Sequence, residues 1–143
     1  MLPHPAVKPI FTIVTPVWNC ADHLPRHLAS VRSQNMVPGT VEHWIIDGGS
    51  TDGTVEFLGQ QPDLKFISEK DRGQYDAVNK GVARSTGDWI IWLNGDDELA
   101  PGALKAFLEG LKKHPDTLFF AGTRRCFGTT ALSRELRRVG IST

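Results

Sequence analysis

The chain is poor in several things that would have settled its class early. In 143 residues it has two cysteines, two methionines and one tyrosine. Cys20 and Cys126 lie far apart and in no metal-type spacing, which argues against a disulfide scaffold and against a cysteine metal site. Neither sign of charge is in surplus: sixteen basic residues balance sixteen acidic ones, so the usual electrostatic case for nucleic-acid binding is missing. The longest uninterrupted apolar run, Trp89-Ile90-Ile91-Trp92-Leu93, is too short to span a bilayer. The opening residues Met1-Leu2-Pro3-His4-Pro5 have neither the basic nor the apolar region of a signal peptide. A cytoplasmic location is expected, with peripheral contact at the inner face of a membrane left open. No Gly-x-Gly-x-x-Gly follows the first strand pattern, which argues against a dinucleotide-dependent oxidoreductase.

What is present is an ordinary globular composition, 40% hydrophobic and 22% charged, in a length that suits one domain with a sizeable core. Strand and helix patterns alternate. Residues 10–15, 41–46, 64–68 and 88–93 read as strands, and residues 118–121 as a short fifth one. Asp22 is placed to cap a helix running to about Gln34, with Leu24, Leu28 and Val31 on one face. A second helix is expected from Ser50 or Thr51, a third over residues 73–85 with Tyr75, Val78 and Val82 on one face, and a fourth after Pro101 with a Leu104, Phe107, Leu108, Leu111 stripe. Successive βα units imply a Rossmann-like α/β fold, with a mostly parallel sheet and helices on both faces. The alternation stops near Thr123. Residues 1–122 therefore read as the domain, and residues 123–143 as an atypical tail holding five of the nine arginines.

In an open α/β sheet, ligands bind beyond the carboxyl ends of the strands. The first strand delivers Thr15-Pro16-Val17-Trp18-Asn19 to that edge and the second Asp47-Gly48-Gly49-Ser50-Thr51-Asp52-Gly53. The third delivers Glu69-Lys70-Asp71-Arg72-Gly73 and the fourth Asn94-Gly95-Asp96-Asp97. Adjacent carboxylates such as Asp96 and Asp97 repel by about 4 kcal/mol at about 4 Å and an effective dielectric near 20, so a proton or a cation is expected between them. All-oxygen ligands point to Mg²⁺ or Mn²⁺, which typically take one or two carboxylates plus phosphate oxygens. Asp47 and Asp71 can accept hydrogen bonds from a base or ribose, Trp18 or Pro16 can pack on a flat base, and Arg72 and Lys80 can meet phosphate. Each loop alone is also sound turn chemistry, and Asp76 with Lys80 is an ordinary i,i+4 surface pair. The five histidines, His4, His23, His27, His43 and His114, form no recognisable site.

The segments 12–19, 46–54, 71–81 and 93–97, in this order and spacing, resemble the family 2 glycosyltransferases, which have the GT-A fold. The resemblance implies an N-terminal donor-binding half of such an enzyme. Thr15, Pro16, Trp18, Asp47, Asp71, Arg72, Asn79, Asn94 and Asp96 would line the nucleotide-sugar pocket, and Asp96 with Asp97 would hold Mg²⁺ or Mn²⁺. The Asp-x-Asp element of the family maps to Asn94-Gly95-Asp96, with Asn94 in place of the first acid. The implied reaction is inverting transfer from a nucleotide-diphosphate sugar to an acceptor hydroxyl, on a saccharide or lipid-linked saccharide, in a setting such as bacterial surface-polysaccharide assembly. The acceptor half and the catalytic base of the family follow the metal motif. Here residues 124–143 contain no Asp, no His and only Glu135 as an acid. A truncated half that only binds nucleotide diphosphate is the alternative, completed by another polypeptide or prone to self-association.

Overall fold

In the computed structural model, residues 7–122 are described. The element order is β1 (Phe11–Val17), α1 (Leu24–Arg32), β2 (Val41–Asp47), α2 (Thr54–Gly59), β3 (Lys65–Ser68), α3 (Gln74–Arg84), β4 (Trp89–Trp92) and α4 (Ala103–Lys113). All strand pairs are parallel, in the order β3-β2-β1-β4. This is the expected α/β architecture. The chain divides into two compact units between Ala106 and Phe107. In the second, Phe107 meets Phe120 edge-to-face, with Gly110 beneath the Phe120 ring.

The central strands β1 and β2 pack side chains on both faces of the sheet, because strand side chains alternate. Val17 and Ile45 face one way, into a cluster with Leu24 and Leu28 of α1 and Leu58 of α2. Val14 and Ile46 face the other way, against Ala77 and Val78 of α3. Glycine sets the closeness of that second layer. A Cβ at Gly81 would stand 2.3 Å from Val14 Cγ1. Pro16 fits in β1 because of where β4 ends. Val14 receives the Leu93 N–H on the β4 side and Val17 the Gly48 N–H on the β2 side, so Pro16 turns its missing donor toward β4. The β4 pairing stops at Val14, and no ladder bond is lost.

Several expected details differ. Residues 118–121 form no strand, and Leu118 is 94% exposed. The second helix begins at Thr54, not at Ser50 or Thr51, because the Ser50 N–H is taken by Asp47 and the Thr51 N–H by Asn19. Asp52 instead accepts the Thr54 N–H and hydroxyl. The position before α1 is His23, without a side-chain cap, rather than Asp22. On α3 the buried residues are Ala77 and Gly81, while Tyr75 and Val82 are exposed. Small side chains, not the largest apolar ones, face the sheet there. Of the α4 stripe only Leu104 is fully buried.

Candidate functional site

Strand order reverses at β1: β2 and β3 lie to one side of it, β4 to the other. Such a switch point opens a crevice beyond the carboxyl ends of the two diverging strands. The β1–α1 and β4–α4 loops border it, and Gly95 brings them together. A Cβ at Gly95 would stand 2.5 Å from Val17 Cγ1 and 3.4 Å from Cys20 Sγ.

The other loops are joined to this pair by reciprocal hydrogen bonds. Asn19, in the left-handed region at φ 49°, gives its N–H to Ser50 Oγ at 2.7 Å and accepts the Thr51 N–H at 2.9 Å. Cys20 N–H binds Thr54 Oγ1, and Ala21 N–H binds Asp52. The Asp71 carboxylate accepts the Gly73 N–H and lies over Gly48, where a Cβ would stand 2.6 Å from Oδ2. Gln74 Nε2 and Trp92 Nε1 both donate to Asn94 Oδ1, at 3.1 and 2.8 Å. All four loops thus form one continuous rim.

Within the rim the expected residues divide by accessibility. Trp18 is 67% exposed, whereas Pro16 is buried, so Trp18 is the one of the two that presents a flat face. Asp96 is exposed and Asp97 half-buried, and neither side chain has a hydrogen-bond or ion-pair partner among the described residues. Asp71 is half-buried, with its carboxylate against Gly48.

Four of the expected residues are buried, engaged with other side chains or set outside the rim. Asp47 is 0% exposed, and its carboxylate is taken up by the Gly49 and Ser50 N–H groups and the Ser50 and Ser68 hydroxyls. It organises the loop after β2. Thr15 is also 0% exposed, with its hydroxyl between His27 and His43. Arg72 turns to Asp76, at 3.1 Å, and gives its N–H to the same carboxylate, which holds the Asp76 carboxyl below its usual range. Asn79 lies on the exposed side of α3, opposite the sheet-facing Ala77 and Gly81. Lys80 pairs with Glu69 at 3.0 Å and lies 3.7 Å from Asp76, a surface network around α3. The Arg124–Arg138 run and Glu135 lie outside the described residues.

One group was invisible in the sequence. His27, Ser30 and Gln34 recur at helical spacing beside the apolar stripe of α1, and all three hold the segment from Asp97 onward. His27 Nδ1 meets the Asp97 carbonyl at 2.8 Å, and Ser30 Oγ accepts the Leu99 N–H. Gln34 donates to the Ala100 carbonyl and accepts the Leu104 N–H. Arg26 adds an ion pair to Glu98 at 2.7 Å. Polar residues flanking an apolar helix stripe are the only sequence signal for such a clamp.

The negative field of the crevice is felt at Cys20. Burial pushes its thiol up, a backbone hydrogen bond at Trp18 opposes this, and the charges of Asp96, Asp52 and Asp47 add to the rise. No three His, Cys, Asp or Glu side chains among the described residues converge on one metal position. The unpartnered Asp96 and Asp97 fit a Mg²⁺ or Mn²⁺ only where phosphate and water oxygens complete the shell.

Comparison with known proteins places the chain among glycosyltransferases. A Mycobacterium tuberculosis protein described as an uncharacterized glycosyltransferase is 38% identical over 106 residues, covering 72% of this chain and 40% of that protein. A PGL/p-HBAD biosynthesis glycosyltransferase of Mycobacterium bovis is 39% identical over 98 residues, covering 64% of this chain and 37% of that protein. This chain thus spans about 40% of the length of such relatives. Among solved structures, S. aureus TarS with UDP-GlcNAc superposes with a TM-score of 0.66 at 19% identity, over 73% of this chain and 32% of that one. A mannosyltransferase from Pyrobaculum calidifontis, solved with GDP-Man and Mn²⁺, gives a TM-score of 0.60 at 25% identity over the same shares. The model of glycosyl transferase family 2 matches residues 12–141, nearly the whole chain, and the chain belongs to that family.

Proposed function

We propose that this chain forms the donor side of an inverting, metal-assisted glycosyltransferase, which moves a sugar from a nucleotide-diphosphate sugar to an acceptor hydroxyl. The observation that carries the reading is the pair Asp96 and Asp97, unpartnered among the described residues and set at the switch point of a parallel sheet, on the same rim as the exposed Trp18. The GDP-Man and Mn²⁺ bound by the Pyrobaculum mannosyltransferase, and the UDP-GlcNAc bound by TarS, support a donor of this class.

In this reading Trp18 stacks on the base, and Asp71 accepts hydrogen bonds from the base or ribose. Asn94, its oxygen held by Trp92 and Gln74, keeps the motif loop in register with α3. Asp96 and Asp97 would hold the cation. When bound, that cation offsets the negative charge that develops on the departing diphosphate. The acceptor hydroxyl attacks the anomeric carbon as the bond to the diphosphate breaks, and the transition state has oxocarbenium character. The hydroxyl proton passes to a carboxylate base.

Calorimetry with UDP and GDP, with and without Mn²⁺, tests the reading. Metal-dependent binding of one of the two is expected, and Asp96→Ala with Asp97→Ala abolishes it. A folded sample that binds neither nucleotide would refute it. Binding without donor hydrolysis or sugar transfer would leave a nucleotide-diphosphate-binding module.

A further inference from the structure

Two buried imidazoles have no part in the donor reading as stated. His27 is fully buried and His43 nearly so, with ring centroids 5.3 Å apart. His27 Nδ1 lies 2.8 Å from the Asp97 carbonyl oxygen. A carbonyl oxygen only accepts, so Nδ1 carries the hydrogen and the Nε2 of a neutral His27 is bare. Thr15 Oγ1 lies 3.2 Å from that Nε2 and 2.9 Å from His43 Nε2, and the two Nε2 atoms are 3.4 Å apart.

Thr15 has one hydroxyl hydrogen to give. Given to His43, it leaves His27 Nε2 without that donor in a site water does not repair. Given to His27, it leaves Oγ1 free to accept from His43 Nε2–H, the shorter of the two contacts. One order therefore gives each contact along this path a donor and an acceptor. His43 Nε2–H donates to Thr15 Oγ1, the Thr15 hydroxyl donates to His27 Nε2, and His27 Nδ1–H donates to the Asp97 carbonyl. A buried hydrogen-bond path of this kind holds its members in one arrangement. It runs from β2 through β1 and α1 into the motif loop.

We propose that His27 is a positioning residue for the donor site: through this relay it fixes the Asp97 carbonyl, and with it the direction in which Asp96 and Asp97 present their carboxylates to a cation and diphosphate. The inference rests on the donor-binding reading above. Ser30 and Gln34 hold the chain further on, at Leu99, Ala100 and Leu104, whereas His27 touches the motif itself.

The test uses the full chain, with UDP and Mn²⁺ as probes. In ¹⁵N-resolved NMR of the unliganded protein, His27 is expected as the Nδ1–H tautomer and His43 as the Nε2–H tautomer. His27→Asn places an amide N–H near the Nδ1 position, and His27→Gln places its polar group near Nε2 instead. Loss of an outer hydrogen-bond partner commonly weakens metal affinity about 10–100-fold, so His27→Gln should lose at least about tenfold in the Mn²⁺-dependent part of UDP affinity, with metal-free affinity nearly unchanged. His27→Asn should recover most of that loss. Equal losses in both variants, with metal-free and Mn²⁺-dependent affinity falling together, would mark a merely structural residue and overturn the proposal. So would an Nε2–H tautomer at His27. If the unaltered chain binds no UDP and no GDP, the donor reading falls and the positioning role with it. Binding by the unaltered chain with undiminished Mn²⁺ dependence in His27→Gln overturns the positioning role alone.

Discussion

The carboxylate of Asp71 lies across Gly48 so closely that a Cβ there would stand 2.6 Å from Oδ2 and 3.1 Å from Cγ. This contact joins the loop after β2 to the loop after β3. Asp71 cannot simply swing aside, because its other oxygen holds the Gly73 N–H at 2.9 Å, just before α3. Gly48→Ala should therefore displace Asp71 at the crevice. Overpacking of this kind typically costs about 1–3 kcal/mol, and the lower end is expected here because one partner is a side-chain tip. Nucleotide affinity should fall more than thermal stability does. Calorimetry and a melting curve on the same preparation check the split.

Asp96 and Asp97 give a prediction of the opposite sign for stability. Two neighbouring carboxylates with no hydrogen-bond or ion-pair partner among the described residues repel each other in the absence of a cation. Asp97→Asn should leave the metal-free fold unchanged or more stable, within about 0.5 kcal/mol, as for most surface substitutions of a side chain that holds no structural partner. The same change should remove the Mn²⁺ dependence of nucleotide binding. Urea denaturation without metal, set beside calorimetry with it, measures both. A large loss of stability in metal-free buffer would assign Asp97 to the fold instead.

The fold was largely legible because strand periodicity and β-branching mark β1 and β2 strongly, and glycine-rich turns mark the carboxyl edge. Which residues face the crevice was not legible, and the reason is geometric. Asp47 ends β2 with the facing of Ile45, two residues earlier, so its carboxylate turns into the layer under α1 and α2. Thr15 shares the facing of Val17 for the same reason. His27 and His43 lie 16 residues apart in sequence, and their meeting depends on where α1 lies over β1 and β2. No local pattern encodes that placement. Ser50 and Thr51 carried a sound helix-start signal, but Asp47 and Asn19 compete for the same groups and win. Leu118, Phe119 and Phe120 have strand-like composition, yet pair with no strand among the described residues.

Acid should weaken the fold in two stages. Burial lowers the His43 imidazole from 6.5 to about 3, with the neighbouring His27 adding to the effect. Below pH 6.5 the unfolded chain takes up a proton that the folded chain refuses, so stability falls as pH drops through the window from 6.5 to 3. His27, lowered by burial against the pull of the Asp97 carbonyl, acts in the same direction. Burial alone would raise the Glu42 carboxyl. Hydrogen bonds from Lys65, the Thr86 N–H, and the Thr12 and Thr86 hydroxyls outweigh it and lower the group from 4.5 to about 2. Its contribution is present above pH 4.5 and is lost between there and about 2. One proton of difference corresponds to about 1.4 kcal/mol per pH unit. Urea midpoints at pH 7, 5.5 and 4 should fall in order. Glu42→Gln should be less stable at pH 7, and its deficit should shrink below pH 4.5.

Gly81 sets helix propensity against packing, and the magnitudes decide between them. In an isolated helix, Gly81→Ala would gain about 1 kcal/mol. In this fold the new methyl would meet Val14 Cγ1 at 2.3 Å, Val14 Cγ2 at 3.1 Å and Ile46 Cγ1 at 3.3 Å. Val14 and Ile46 are fully buried in the two central strands, so the helix has to move. The packing cost of about 1–3 kcal/mol, at its upper end for backbone displacement, should exceed the propensity gain. The chain should be destabilised by about 1–2 kcal/mol in urea denaturation, the difference between those terms. The two nearest clashes both involve Val14 methyls, which gives the prediction a second arm. Val14→Ala alone should cost about 2 kcal/mol through lost burial and a cavity. Combined with Gly81→Ala, it vacates the space that the new methyl needs, so the double variant should be more stable than the sum of the single losses implies. Strict additivity would show that the helix accommodates the methyl by some other route and that Val14 does not set its distance from the sheet.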